Sequence, residues 1–464
     1  MAETWPAADP ALPPAQRWAR FLNPFMILGG NLSPDRLTEA LDLHLPPLHG
    51  VRVSWRSSRP EIIDPLAGRV TRPVGNDPVL VELTAEVTDG TTHAEQTMTL
   101  RVMPERIPLP TVALYLGEPV AKTRRVDAVI EIGEAGEDRP ARRLRATQGR
   151  RGGVNHRGNT SFWYPKKLFT IRCDEPHGLF GDGVRRTVLT INALQDPLFL
   201  NNSLAFDLFR ACGTPEAPRH APHVRHAEFY VNGAFQGLFE LCTRLDEDLI
   251  PAPGLIVYRH AIIKPRLPPL RAARPPRRDG DFMDPFLALQ QVVETAPPSG
   301  RAGQVARHFN LANLIDFQIL LNVMHNRNGE PFRFWFHDAL VYQPGGRPPF
   351  SHVPWDFDLG LESRPWKWIE NDMMRCLAAD LPDFRNQRAA RWRALRAGIL
   401  ADDAVDRRLA ERATLLAPYI AHDHRRWHYG NPGEVEAALE TKRAVARRNL
   451  HAIDQFLEKD ALPP

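Results

Sequence analysis

At residues 104–110 the chain changes character. The run PERIPLP holds three prolines in seven residues and offers little to bury, so it predicts a linker. Before it, the runs VRVSW, PVLVELTAEV and AEQTMTLRVM are β-branched and alternate in polarity. Turn signals such as VTDGT and PVGND separate them, which predicts strands. Residues 33–43, SPDRLTEALDL, read as a short capped helix or a turn, with Ser33 as cap and Pro34 at the first helical position. After the break, strand-like runs (TVALYL, DAVIEI, KLFTIRC, RTVLTINA, HAEFYVN, GLFELCT, FRFWFHD) mix with helical stretches at 199–212, 310–325, 388–400, 402–422 and 432–457. A chain of 464 residues also exceeds what one ordinary core holds. The expected plan is a loose Pro/Ala-rich tail (1–18), a β domain (19–103), the linker (104–110) and a larger α+β domain (111–464) with a helical C-terminal part. The Pro/Arg-rich stretch 263–281 reads as a disordered loop.

Charge excludes little by itself. With 59 basic and 55 acidic residues, the net charge of +4 is too small to indicate nucleic acid. The Arg-rich runs at 139–151 and 266–278 lack interleaved aromatic residues, so they read as solvated surface. The four cysteines, Cys173, Cys212, Cys242 and Cys376, form no CxxC pair and read as buried small hydrophobes. His220, His223 and His226 recur every third residue, but prolines at 218 and 222 prevent a helix from aligning them. No apolar run approaches membrane-span length and no secretory signal is visible. The expected compartment is therefore the cytoplasm, with export by a signal-independent route left open.

Residues 53–60 read VSWRSSRP, and GRVTRP follows at 68–73. This "W-x-S-S-x-P … G-x-V-x-x-P" pattern resembles bacterial immunoglobulin-like modules. The resemblance implies a β-sandwich with its Trp on a central strand. Such a module presents its neighbour and carries no chemistry.

The chemistry-bearing segments lie further on. Arg157-Gly158-Asn159-Thr160-Ser161 leads through Phe162-Trp163-Tyr164-Pro165 into Lys166-Lys167 and a β-rich run. Basic side chains beside a polar turn suit a phosphate, although alone they read more readily as a solvated lysine pair at a strand start. Four further blocks follow: LTINALQD (189–196), NNSLAFDLFR (201–210), HAEFYVNGAFQGLF (226–239) and VPWDFDLG (353–360). In this order they resemble the CotH kinases, the family of spore coat protein H. The resemblance implies a divergent protein-kinase-like fold. It also implies phosphate transfer from ATP, with Mg²⁺ or Mn²⁺, to Ser or Thr of a partner protein. Lys166 or Lys167 would then meet the ATP phosphates, with Arg157 and Asn159 beside them, and Asp356 would hold the metal. Asp358, two residues on, would share that metal if the segment is extended.

The pattern departs from the family at three places. Asn328 stands where the family has a catalytic Asp, and Arg333 or Phe332 where it has a later Asn. Thr243 stands where it has a Glu, and Glu240, three residues earlier, falls on the opposite strand face. Asn cannot accept a proton usefully at neutral pH. Several readings follow. One is a kinase in which Asn328 or Glu330 replaces the base. Others are a pseudokinase or adaptor that binds nucleotide, a transferase that moves the nucleotide itself, and a structural surface protein. The C-terminal helices read as amphipathic packing elements. A protein substrate or binding partner is implied; no oligomeric state is.

Overall fold

The structure is a computed structural model describing residues 12–45, 50–150, 152–158, 160–193, 196–244, 249–250, 256–259, 295, 297–326, 331–332, 335–336, 339–343, 349–428 and 432–460. Asn159, Asn328, Glu330, Arg333 and the stretch 263–281 lie outside the described residues. The helices are α1 (Pro14–Phe21), α2 (Asn201–Ala211), α3 (Pro298–His308), α4 (Leu311–Met324), α5 (Asp372–Asp380), α6 (Pro382–Arg396), α7 (Asp402–Trp427) and α8 (Val435–Asp460). The strands are β1 (Arg52–Ser57), β2 (Val79–Thr88), β3 (His93–Val102), β4 (Thr111–Leu116), β5 (Ala128–Gly133), β6 (Arg142–Ala146), β7 (Gly153–Arg157), β8 (Leu168–His177), β9 (Arg186–Asn192), β10 (Val224–Val231), β11 (Ala234–Cys242), β12 (Ile256–Arg259), β13 (Ala339–Gln343) and β14 (Ser351–Pro354). The chain divides into two compact units. The first is Met1–Val120, Val126–Gly153 and His226–Leu238; the second is Ala121–Arg125, Val154–Arg225 and Phe239–Pro464.

The first unit begins where a loose tail was expected. Pro14–Phe21 is helical, with Pro at the first turn, where its missing N–H costs nothing. Ala15 and Ala19, four residues apart, are buried and carry α1 across β2 and β3. Residues 33–36 form a turn rather than a helix: Ser33 Oγ accepts from Asp35 N at 3.2 Å, and Arg36 N donates to Ser33 O at 2.9 Å. Strands β1-β2-β3 form an antiparallel sheet. Its hairpin turn is fixed by the Asp89 carboxylate, which accepts from the amides and hydroxyls of Thr91 and Thr92. Among the described residues this region has one sheet and a helix, not two facing sheets. Trp55 lies on its edge strand, half-buried, and its indole N–H donates to Leu43 O at 3.2 Å. Residues 104–110 are no exposed spacer: Ile107 and Leu109 are buried within this unit.

Beyond them β4 pairs antiparallel with β5, β5 with β6, and β10 runs parallel to β4. Alternate arginines of β6 point outward (Arg143 and Arg145), while Leu144 and Ala146 are buried. Between β10 and β11, Asn232 and Gly233 take φ of 48° and 77°, the paired left-handed turn that joins two strands tightly. The polar centre of this unit is Glu228 of β10. Arg36 donates to one carboxylate oxygen at 2.9 Å, and Arg101 to the other and to the Tyr230 hydroxyl. All four side chains are buried.

The second unit takes the end of β11, which pairs with β9, followed by β8 and β7. A small sheet β12-β13-β14 stands apart from these strands. Helix α4 is buried on almost every side. Its polar residues are therefore bonded inward: Asn313 to both backbone groups of His352, Asn322 to Ile369, and Asp316 to Arg219 and Arg391. The His352 ring stacks on Phe309 and Phe317. The four cysteines are free thiols, and Cys173, Cys212 and Cys242 are buried, as expected. No helix among the described residues is long and apolar enough to cross a membrane.

Two expectations follow. Glu228→Gln removes the carboxylate that both Arg36 and Arg101 touch and should lower stability by about 3–5 kcal/mol in urea unfolding; an unchanged midpoint would refute the role given to this cluster. Burial pushes the His352 imidazole down to about 3, so the folded form stays neutral where the unfolded chain takes a proton. That stability is present above pH 6.5 and drains as the pH falls toward 3. The melting temperature should drop over this range, and less steeply in His352→Phe.

Candidate active site

The segment after β14 leaves the sheet at Pro354 and turns at once. Asp356 has φ of 62° and Leu361 of 52°, a region that side-chain-bearing residues enter uncommonly, Asp more readily than Leu. Phe199 and His325, which flank the loop's anchors, are also left-handed. Phe357 is buried edge-on against Phe206. Gly360 sits in close quarters, since a Cβ there would lie 3.1 Å from Phe357 O and 3.2 Å from Met324 Cε and would press both back by a few tenths of an ångström.

Three buried amide side chains hold this backbone. Asn202 Oδ1 accepts from Phe357 N at 2.7 Å. Asn201 Nδ2 donates to Asp358 O at 2.8 Å and to Gly360 O at 2.7 Å. Asn326 Nδ2 donates to Asp356 O at 3.0 Å. Leu361 N closes the loop on Met324 O at 2.7 Å. Asp356 itself is exposed, and its carboxylate has no ion pair or hydrogen bond among the described residues.

Asn201 and Asn202 open α2, whose free backbone N–H groups need acceptors. Asp196 supplies them, accepting from Leu198 N, Leu200 N and Asn201 N. Glu240 is fully buried and accepts from Asn202 Nδ2 at 3.3 Å. Its cross-strand neighbour is Asn192, which accepts from the Arg157 guanidinium. Arg157 in turn stands 5.9 Å from the Trp355 ring. The blocks at 157, 189–196, 201–210 and 353–360 thus meet around one loop. Glu240, which the sequence set aside, belongs to that network. Thr243, at the family's Glu position, caps the chain elsewhere by accepting from His223 N at 2.9 Å.

The two lysines part company. Lys166 is 6% exposed, and its ammonium donates to Asp423 of α7 at 2.6 Å over the faces of Phe199 and Phe239. Burial pushes it down to about 8 while Asp423 pulls the other way. Lys167 instead donates to Phe162 O at 2.7 Å.

Asp356 and Asp358 do not lie along an extended strand, because Asp356 is left-handed and β14 has already ended. The same-side argument for a shared metal therefore does not apply. Among the described residues no three His, Cys, Asp or Glu side chains gather into a metal site, and the three histidines at 220–226 do not form one. Mg²⁺ commonly takes only one or two carboxylates, with phosphate oxygens and water completing its shell. The unpaired carboxylate of Asp356 fits that demand.

Residues 154–459 match the CotH kinase protein family, more than half of the chain. The chain belongs to that family. Residues 27–105 match the atrophied bacterial Ig domain, in keeping with the single sheet found there. No curated protein matches the chain.

The CotH match runs to 459, so the C-terminal helices are part of the family domain and not an appendage. They supply what sequence reasoning missed, Asp423 above all. Leu416, Tyr419, Ile420 and Asp423 follow one helical stripe, all buried. A carboxylate on an apolar stripe was the available signal. Asp423→Asn should leave the Lys166 charge without its carboxylate and lower stability by about 3–5 kcal/mol, while Lys166→Met with Asp423→Leu should recover most of it. A double-mutant cycle in urea checks this, and additive losses would rule the pair out.

Proposed function

We propose that this chain is a divergent kinase-like enzyme that transfers the terminal phosphoryl group of ATP to a Ser or Thr hydroxyl of a partner protein. The observation that carries the reading is Asp356: an exposed, unpaired carboxylate held in a left-handed backbone by three buried amides. Strain of that kind persists where the surroundings enforce it, and it clusters at working sites.

In this reading Asp356 is the metal ligand, with Asp358 a contributor through water or second contact. A bound Mg²⁺ or Mn²⁺ would offset phosphate charge during transfer. Lys166 is the phosphate lysine. A lysine fixed by a carboxylate from a helix is the device protein kinases use, and Lys166 with Asp423 has that form. Arg157 and Asn159 flank the phosphates. Asn328 or Glu330 orients the acceptor hydroxyl; Glu330 keeps a carboxylate as basic as Asp, whereas Asn328 offers only a neutral amide, and charge stabilisation supplies most of such a rate.

Asn328 also favours a second reading, nucleotide binding without transfer, because it stands where the family has an acid.

Phosphate transfer from γ-labelled ATP separates them. Asp356→Ala should lower labelling of protein or a generic Ser/Thr acceptor by about a hundredfold or more. Metal-dependent ATP binding with no label in the wild type would select the second reading. Neither label nor binding would sink both.

A further inference from the structure

Helix α8 reaches the Asp356 loop with two polar side chains seven residues apart. Lys442 Nζ donates to Asn201 Oδ1 at 2.8 Å and stands 3.2 Å from Asp196 Oδ1. Asn449 Nδ2 donates to Val323 O in the last turn of α4, at 2.9 Å. Seven residues are two helical turns, so both face the same way. They share the stripe of Leu439, Val445, Ala446 and Leu450, all buried. Lys442 is only 12% exposed and Asn449 fully buried.

Packing alone would be served by apolar side chains here, since buried polar groups add a desolvation cost. What Lys442 and Asn449 touch explains their presence. Lys442 occupies Asn201 Oδ1, which leaves Nδ2 as the end of that amide facing Asp358 O and Gly360 O. It also counters the charge of Asp196, which caps α2. Asn449 fixes the end of α4, where Met324 O accepts from Leu361 N and where Asn326 follows to hold Asp356 O. Both ends of the loop thus hang on groups that α8 fixes.

We propose that α8 is a brace for the Asp356 loop, with Lys442 and Asn449 as positioning residues that set how firmly Asp356 holds its metal. The proposal rests on reading Asp356 as a metal ligand. Neither side chain touches the reacting groups; both act through Asn201 or α4.

The test uses the full chain and four proteins: wild type, Lys442→Met, Asn449→Leu and Arg447→Met. Arg447 lies on the same helix, half exposed, and pairs with Asp406 of α7, away from the loop; its variant controls for loss of one charge from α8. Two quantities are read: the Mg²⁺ concentration that half-saturates ATP labelling, and the deuterium exchange of amides in residues 353–361. Lys442→Met and Asn449→Leu should raise the half-saturating Mg²⁺ roughly tenfold, with a smaller change in rate at saturating metal. Both should speed exchange at the Phe357, Gly360 and Leu361 amides, and Arg447→Met should do neither. A lower melting temperature with the Mg²⁺ midpoint and the exchange both unchanged in the two variants would overturn the proposal. If one variant fails to fold, the other still decides. If the wild type labels nothing at any Mg²⁺ concentration while exchange still quickens, the brace stands and the kinase reading falls.

Discussion

A backbone that leaves a sheet and turns left-handed loses its ladder partners, and each exposed carbonyl or amide must find another. In the Asp356 loop those partners are amide side chains. Asn201, Asn202 and Asn326 are buried, and between them they satisfy Asp356 O, Phe357 N, Asp358 O and Gly360 O. An amide both donates and accepts, so each of the first two joins the loop to a second element: Asn202 to Glu240, and Asn201 to Lys442. A carboxylate in the same places would satisfy one side only. The position of the exposed carboxylate is therefore set by hydrogen bonds made far from it in sequence.

Buried charge is the second organising cost. Lys166 with Asp423, and Arg36 and Arg101 with Glu228, take ionic groups out of water within their own units. Apolar residues of similar volume often stabilise as well or better. What ion pairs add is register. Lys166 precedes β8 and Asp423 lies near the end of α7, so the pair ties that helix to the start of the strand. Glu228 does the same for β10 against the turn that carries Arg36.

Much of this architecture is legible in the sequence. Strands β4, β5, β8, β9 and β10 follow runs of β-branched residues, and Asn232-Gly233 marks its hairpin. Helices α2, α4 and α8 lie within a few residues of the stretches expected, α4 as an apolar run buried all round rather than a stripe. Helix α7 runs past its expected end at 422 to Trp427 and continues through Pro418. Helix α1 escaped because Pro/Ala-rich composition masked the Ala15–Ala19 spacing; α3 and α5 also went unread, although Met373, Met374, Leu377 and Ala378 give α5 a buried stripe. The site was partly visible. Its blocks were identified in order, but nothing in the sequence assigns Asn201, Asn202 and Asn326 to the Asp356 loop, and only packing shows that they are buried. The apolar stripe of α7 marks Asp423 as buried, but nothing local names its partner, Lys166, 257 residues away.

Among the described residues strand β6 stands at one end of its sheet and pairs with β5. An open edge offers a row of unpaired N–H and C=O groups to any other extended chain. Here that edge reads RRLRA, with Arg143 and Arg145 turned outward. Two copies brought edge to edge would press like charges together, a repulsion that reaches about 10 Å at 0.1 M salt and shrinks as salt rises. Glu131 of β5 offsets part of the Arg143 charge, and what remains would oppose such edge pairing most in dilute salt.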